Sequence, residues 1–471
     1  MLKLLIEKEI REIVGSTKFS VTFGVCSLLI VLAFYVGGRS YQLNLARYEA
    51  AKAENMRKLE GITDWMSVRD FRIFLPPQPL SALVNGISND IGRTTEVSGR
   101  GELTTHDSRY SEDPLFAVFR FLDLEFIFMV VLSLFAIVFG YDAINGEKER
   151  GTLRLTFANA MPRSTYILGK LGGTLFALAL PLLLPMLIGA SLFLILGISL
   201  SGDEWAKIAL VALTGLLYFG VFLTLSVFIS SVTHRSAHSF LLLLVIWILA
   251  VLIVPRSAVL LAGRAVEVPS VDDIASKKSR LNAQLWQEDR TKMSGFKPAN
   301  TVDPEQMMTS FNKFMQTLAD ERDKKMSELA AQLNEDRTNR ENVQRRFAFG
   351  LARISPAASL SFAASALAGS SLRLREHYKE AVAAYQKEYA KFMFEKTGMN
   401  PGGNVIMWRT VNDGDEKPKA IDAKEIPAFA YTSFQLAEVL PETLFDMGLL
   451  ILWNLIFLAA AFVAFLRYDL R

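Results

Sequence analysis

Cysteine is almost missing from this chain: Cys26 is the only one in 471 residues, and it lies inside an apolar run. No disulfide can close within one chain, and a thiol surrounded by apolar residues makes a poor nucleophile. Histidine is nearly as scarce. Of His106, His234, His238 and His377, no two share a helix face with an acid nearby as in H-E-x-x-H. His234 and His238 flank Arg235 in a short turn and read as interfacial. The nucleophile elbow G-x-S-x-G does not occur. Nor does the phosphate-cradling G-x-x-x-x-G-K-[ST]: "LGKLGG" at 168–173 offers Gly169 and Lys170, but residue 164 is Ser and Leu171 follows the lysine. The chain is therefore not expected to bind ATP through a P-loop, to be an enzyme, or to hold a catalytic or metal-ligating set. Its 15 methionines fall singly or along a helical stripe, which fits core packing better than soft-metal handling. Charge is thin at 21% of residues, the formal net is only +3, and no basic patch points to nucleic acid.

What fills the chain is apolar residue, 51% of it, with mean hydropathy +0.26. Six runs stand out, at 19–37, 121–141, 167–200, 208–230, 239–262 and 444–466. Each is long enough to cross a hydrocarbon core about 30 Å thick, so the expected class is an all-α polytopic membrane protein with six spans. Residues 1–18 carry acids as well as bases, and "GRSYQ" follows the first run in place of a small-residue cleavage site, so that run reads as a retained span. The third run is longer than one bilayer crossing needs. Pro181 and Pro185 inside it predict one kinked or tilted helix rather than two spans. Arg120, Asp123 and Glu125 at the edge of the second run are expected at headgroup level.

Orientation follows the distribution of Lys and Arg. With the N-terminus inside, segments 1–18, 142–170, 231–238 and 467–471 lie in the cytoplasm with 12 basic residues, while the short outer loop 201–207 holds only Lys207. The long polar stretches 38–115 and 263–440 are then extracytoplasmic. Within 264–440, 26 Lys and Arg nearly cancel 24 Asp and Glu, so a solvated helical domain is expected. Met307, Met308, Phe311, Phe314, Met315 and Leu318 form an i, i+3, i+4 stripe, and Val343, Phe347 and Leu351 resume it, which predicts a hairpin core. "DPEQ" at 303–306 marks its start with Asp303 as N-cap. Residues 357–397 read as a further helix, and 398–435 as a strand-and-loop return to the membrane. In 39–115 a helix is expected from Tyr41 to about Lys58, followed by a polar loop. At the other end, Leu2, Leu5, Ile6, Ile10 and Ile13 alternate with charges so as to make an amphipathic helix lying on the inner membrane face.

The segment that asks for an explanation is "FGYDAINGEKERGTLRLTFANAMPRSTYILGK" at 139–170, crowded with charge between two spans. Helix formers, acids early and bases late suit a helix dipole, and Gly146 and Pro162 bound a short rod. A rod held by two spans would move both when pushed. This segment resembles the first cytoplasmic loop of ABC-2 type transporter permeases, in which a "GE…GTL…P…LGK" pattern joins the second and third spans. The amphipathic N-terminus and the six spans with both ends inside are similar to that family too. "ISPAASLSFAASALAGSSLRLREHY" at 354–378 resembles a subgroup with a large extracytoplasmic domain of unknown function between the last two spans.

The resemblance implies a permease subunit in the bacterial cytoplasmic (inner) membrane, in contact with membrane lipid. It pairs with a second permease, the same chain or a paralogue, and is driven by two copies of a separate ATP-binding subunit. ATP and Mg would be bound by that partner and no cofactor by this chain. The loop becomes the coupling helix, with Glu147, Arg150, Gly151, Thr152 and Leu153 expected to touch the ATPase. Two functions stay open: export or extraction of an amphipathic substrate, or force transmission to a periplasmic partner with nothing crossing. Few polar side chains (Thr214, Thr224, Ser226 and Asn454) interrupt spans four and six. Midplane acids and inverted repeats, which a secondary transporter would want, are not found.

Overall fold

The computed structural model describes residues 2–68, 71–88, 91, 93–97, 104–106, 123–158, 161–296, 304–397 and 421–467. Among them six helices are long and apolar enough to cross a membrane: Thr17–Arg57, Leu124–Glu149, Arg163–Ile195, Gly202–Val232, Ser236–Ala265 and Leu436–Leu466. These are called spans one to six below. A separate helix, Leu2–Val14, precedes them. Cα packing divides the chain into two units, 1–251 with 355–471, and 252–354.

In the first unit the helices outrun the apolar segments that seed them. Span one starts where the Ser16 side chain accepts the Phe19 N–H at 3.1 Å, an N-cap. It then continues past the lipid-like residues because "NLARYEAAKAENMR" is rich in strong helix formers. Span three is one helix through Pro181 and Pro185. Span four begins with a capping box between Ser201 and Glu204 and is the most buried of the six. Small residues let its neighbours close in: β-carbons built at Gly215 and Gly220 would come within 2.7 Å of Phe128 and of Asn454 respectively. Span two opens into a π-helix over Ile127–Leu132. Within it the Met129 carbonyl accepts the Tyr218 hydroxyl at 3.0 Å and the Ser133 hydroxyl at 2.5 Å.

Two parts of this unit differ from the sequence expectation. The polar loop after residue 58 contains a three-stranded antiparallel sheet of β1 (Phe71–Phe74), β2 (Thr94–Val97) and β3 (Thr104–His106), with Phe71 opposite Val97 and Thr95 opposite Thr105. Its strands are too short for period-2 alternation to stand out. Residues 357–397 form two helices, Pro356–Leu367 and Arg373–Thr397. The chain turns between them at Gly369, φ +67°, and Ser370 Oγ donates to the Val84 carbonyl at 2.7 Å. The second helix lays Tyr378, Tyr385 and Tyr389 against the sheet, and the Tyr389 ring stacks on Phe71 at 5.6 Å. Asp123 is a buried N-cap that accepts the Phe126 N–H at 2.9 Å, and Glu125 accepts the Ser361 hydroxyl at 2.5 Å. Arg120, Asp303 and the segment 398–420 lie outside the described residues. Residues 421–435 contain one 3₁₀ turn, Ala423–Glu425, and no strand.

The regular elements described in the second unit are all helices. Val271–Ser294 packs on the 49-residue helix Pro304–Ala352. Asp289 accepts from Arg322 at 3.0 Å, and the Arg322 guanidinium lies 4.1 Å from the Trp286 ring centre. Leu285 and Leu318 are buried, whereas Met307, Met308, Phe311, Val343 and Phe347 are exposed. The long helix also packs on Val254–Ala265, yet the flanks of its broad apolar stripe stay open. The expected hairpin core is narrower than the stripe that predicted it.

Candidate coupling elbow

Span two reaches the elbow through a turn at 141–144, and the elbow proper is two short helices, Asn145–Glu149 and Thr152–Ala158. Gly151 lies between them with φ +74°, a left-handed conformation that glycine adopts without steric cost. The single rod expected from composition is therefore a bent one. Glycine breaks it because the αL residue ends a helix as readily as a proline would.

The inner side of the first helix is bonded to the rest of the protein. Asn145 is fully buried: its Nδ2 donates to Thr233 Oγ1 and its Oδ1 accepts the Ser230 hydroxyl, both at 3.0 Å. Ser230 Oγ in turn accepts the Ile144 N–H at 3.0 Å. Glu149 takes the N–H and hydroxyl of Ser236, at 2.9 Å each, where span five begins. Beyond the elbow, Arg163 donates to the Phe465 and Leu466 carbonyls at 3.0 and 2.5 Å, closing the C-terminal end of span six.

Glu147 sits at the centre of this arrangement. It is 8% exposed, and its carboxylate accepts the Tyr166 hydroxyl at 2.6 Å and the Lys170 ammonium at 2.5 Å. Lys170, 7% exposed, also donates to Glu9 at 3.0 Å, and Glu9 is 6% exposed. One ammonium thus joins the N-terminal helix, the elbow and span three. Two buried carboxylates on one cation leave an excess negative charge. Burial raises Glu9 above the ordinary glutamate range despite Lys170, and the charge on Glu147 adds to that rise. Glu9 makes the longer of the two contacts with the lysine.

The N-terminal helix has a seat made for it. A β-carbon at Gly169 would fall 2.0 Å from Leu5 Cδ2, and one at Gly173 would fall 2.5 Å from Glu9 Cβ. The glycines of "LGKLGG", useless as a P-loop, are where this helix lies against span three.

The five residues expected to touch the ATPase separate into two groups. Glu147 and Leu153 are buried within the chain. Arg150, Gly151 and Thr152 are exposed; Arg150 Nε donates to the Gly146 carbonyl at 3.0 Å and Thr152 Oγ1 to the Glu147 carbonyl at 3.2 Å. Glu147 and Arg150 do not pair with each other in the ion pairs found here. Sequence reasoning missed Glu9, Tyr166, Lys170, Gly169 and Gly173. The i, i+4 pair of glycines around a lone lysine at the start of a span was the readable signal. Among the described residues no cluster of His, Cys, Asp or Glu could hold a metal ion.

Six apolar helices and a bonded polar elbow between the second and third define a multi-pass membrane protein with a fixed internal connection to its polar rim. The family model described as ABC-2 family transporter protein matches residues 4–369, and the chain belongs to that family. It is a permease subunit of an ABC transporter, a class that works with an ABC ATPase partner. No curated protein matches the chain.

Proposed function

We propose that the exposed crest Arg150–Gly151–Thr152 is where the ATPase docks, and that Glu147 and Leu153 anchor the crest from within. The observation that carries this reading is the asymmetry of the elbow: its inner side is bonded to spans three, four and five, while the crest is open. An Arg at the crest can make charge-assisted bonds to a partner carboxylate. A displacement there would reach span three through the Glu147–Lys170 contact. The proposed setting is the bacterial inner membrane, with both termini cytoplasmic, two ATPase copies holding ATP and Mg, and a second permease, identical or paralogous. The proposed cargo is an amphipathic molecule moved out of the bilayer.

A second reading, force transmission to a periplasmic partner without transport, is favoured by one observation. Three polar side chains of spans four and six bond backbone carbonyls: Thr214 that of Leu210 at 2.7 Å and Ser226 that of Phe222 at 2.6 Å within span four, and Asn454 of span six that of Leu217 in span four at 2.9 Å. Each of these three side chains thus has a backbone partner within the two spans.

The test is affinity purification from native membranes in mild detergent, with mass spectrometry of what is retained. A stoichiometric Walker-motif ATPase is expected, and Arg150→Glu with Thr152→Glu should reduce it at least tenfold while the melting temperature stays put. Recovery of the parental amount by that double variant would remove the docking assignment.

A further inference from the structure

Past its apolar run, span one continues to Arg57, and its last turns stand beside β1. Among the described residues β1 pairs with β2 along one edge, Ile73 opposite Thr95 and Phe74 opposite Thr94. Successive residues of a strand turn their N–H and C=O to opposite edges. The Leu75 N–H donates to the Arg93 carbonyl at 2.8 Å, which puts residues 71, 73 and 75 on the β2 side. Arg72 faces the other way: its carbonyl accepts the Asn55 side-chain amide at 2.8 Å, and its N–H donates to the Asn55 oxygen at 3.2 Å. The helix thus closes the outer edge of β1 at Arg72. Two residues on, the N–H and C=O of Phe74 turn to that same edge, and there they have no partner among the described residues.

Beside Asn55 the helix surface recedes. Ala51 lies one turn earlier and carries only a methyl group. Between helix and hairpin is a cavity of about 290 Å³ with Ala51 and Phe74 in its wall, close to the lower end of ligand-site volumes, roughly 300–1,000 Å³. Asn44, Tyr48 and Thr94 also line it. Their side chains make no hydrogen bond among the described residues, although Thr94 is only 8% exposed. Polar groups so placed are ordinarily satisfied by a partner or by water. Leu75 and Ile91 add two buried apolar residues to the wall.

The open edge is short. Asn55 occupies it at Arg72, and the next outward position beyond Phe74 is Pro76, which has no N–H to offer. Only Phe74 is left to pair fully, and one residue of an added strand would exchange both bonds with it.

We infer that this cavity binds a short peptide in extended form, one residue of which pairs with Phe74 while apolar side chains lie against Phe74, Leu75 and Ile91. Asn44, Tyr48 and Thr94 are then at hand for the flanking peptide groups. Strand addition takes its affinity from main-chain bonds and its selectivity from side-chain pockets. A one-residue edge and a cavity of this size suit a peptide of a few residues and leave no room for a long strand. The site is separate from the elbow, and its test needs neither nucleotide nor ATPase, so it stands or falls apart from the docking proposal.

The experiment titrates the full-length permease in non-ionic detergent with N-acetyl-leucine methylamide, followed by ligand-observed NMR. A second probe is its ester analogue, in which oxygen replaces the leucine N–H. The ester keeps the shape and loses the donor to the Phe74 carbonyl, so it should bind about tenfold more weakly than the amide. Ala51→Leu fills the cavity from the helix side and should lose at least tenfold in affinity for the amide at an unchanged melting temperature. Lys52→Leu, exposed on the same helix and outside the lining, should change nothing. Equal affinity of amide and ester would overturn the inference by removing the strand pairing, a result that no folding defect can imitate. Absence of binding by the amide, or affinity unchanged in Ala51→Leu, would overturn it by removing the site.

Discussion

Lys170 holds two carboxylates from different parts of the chain, and neither has another cation in direct contact among the ion pairs found. Replacing it by Met leaves Glu9 and Glu147 facing each other in a buried site. Breaking such a group by removing one partner costs about 3–5 kcal/mol, so Lys170→Met should melt well below the parent in detergent. Adding Glu147→Gln should restore part of the loss. A melting temperature unchanged by Lys170→Met would show that the site is wetter than its burial indicates.

The same residues set a pH dependence. Glu9 is raised above the ordinary glutamate range, so the docked helix keeps a proton that the undocked one gives up. Between the ordinary value and the raised one, docking therefore weakens as pH rises. The charges facing Glu9 are Lys170, Glu147 and Glu12. Hydrogen exchange over 2–14, corrected for intrinsic rates, should show protection falling across that window, and Glu9→Gln should flatten the curve.

At the scale of elements, glycine positions decide what can lie against what. Gly169→Val would push a side chain into Leu5, which stands 2.0 Å from where even a β-carbon would go. The N-terminal helix should leave its seat, and trypsin should then cut at Lys8 and Arg11 faster than in the parent. Equal cutting rates would mean that span three yields instead. Gly151→Val would force a β-branched residue into the left-handed region at a cost of roughly 1–2 kcal/mol. Coupled ATP hydrolysis should fall while the spans stay folded, read as reduced nucleotide turnover in the reconstituted complex.

The extent to which such elements could be read beforehand varied with the kind of signal. Apolar runs marked all six spans, since a bilayer crossing needs a long stretch of one composition. The end of span one was legible as well, since the helix expected from Tyr41 to about Lys58 carries it to Arg57 on propensity. β1 to β3 were missed because strands of three or four residues carry almost no periodicity. At the elbow, charge density located the segment. It did not reveal that Glu147 turns inward, because its partner Lys170 is 23 residues away and Glu9 belongs to another helix. Pairing across the fold leaves no trace in local spacing.

Across the whole molecule, the near absence of cysteine is an experimental opening. With Cys26→Ala as background, single cysteines at Thr214, Thr224, Ser226 and Asn454 should resist a membrane-impermeant thiol reagent while the ATPase is idle. Reactivity at Thr214→Cys or Asn454→Cys during ATP turnover, and not at rest, would mark a transient aqueous path and favour transport. Silence at all four during turnover would favour force transmission.

The seat of the N-terminal helix also has a consequence for how the protein is made. Glu9 and Lys170 are 161 residues apart, and chains are synthesised at about 5–20 residues per second. Glu9 therefore leaves the ribosome roughly ten to thirty seconds before its ammonium exists. Through that interval only the membrane surface is there to hold the amphipathic face of Leu2–Val14. The last contact of the N-terminal helix to form is with span three, so a nascent chain arrested before span three should have its first helix lying on lipid, with its glutamate still exposed to water.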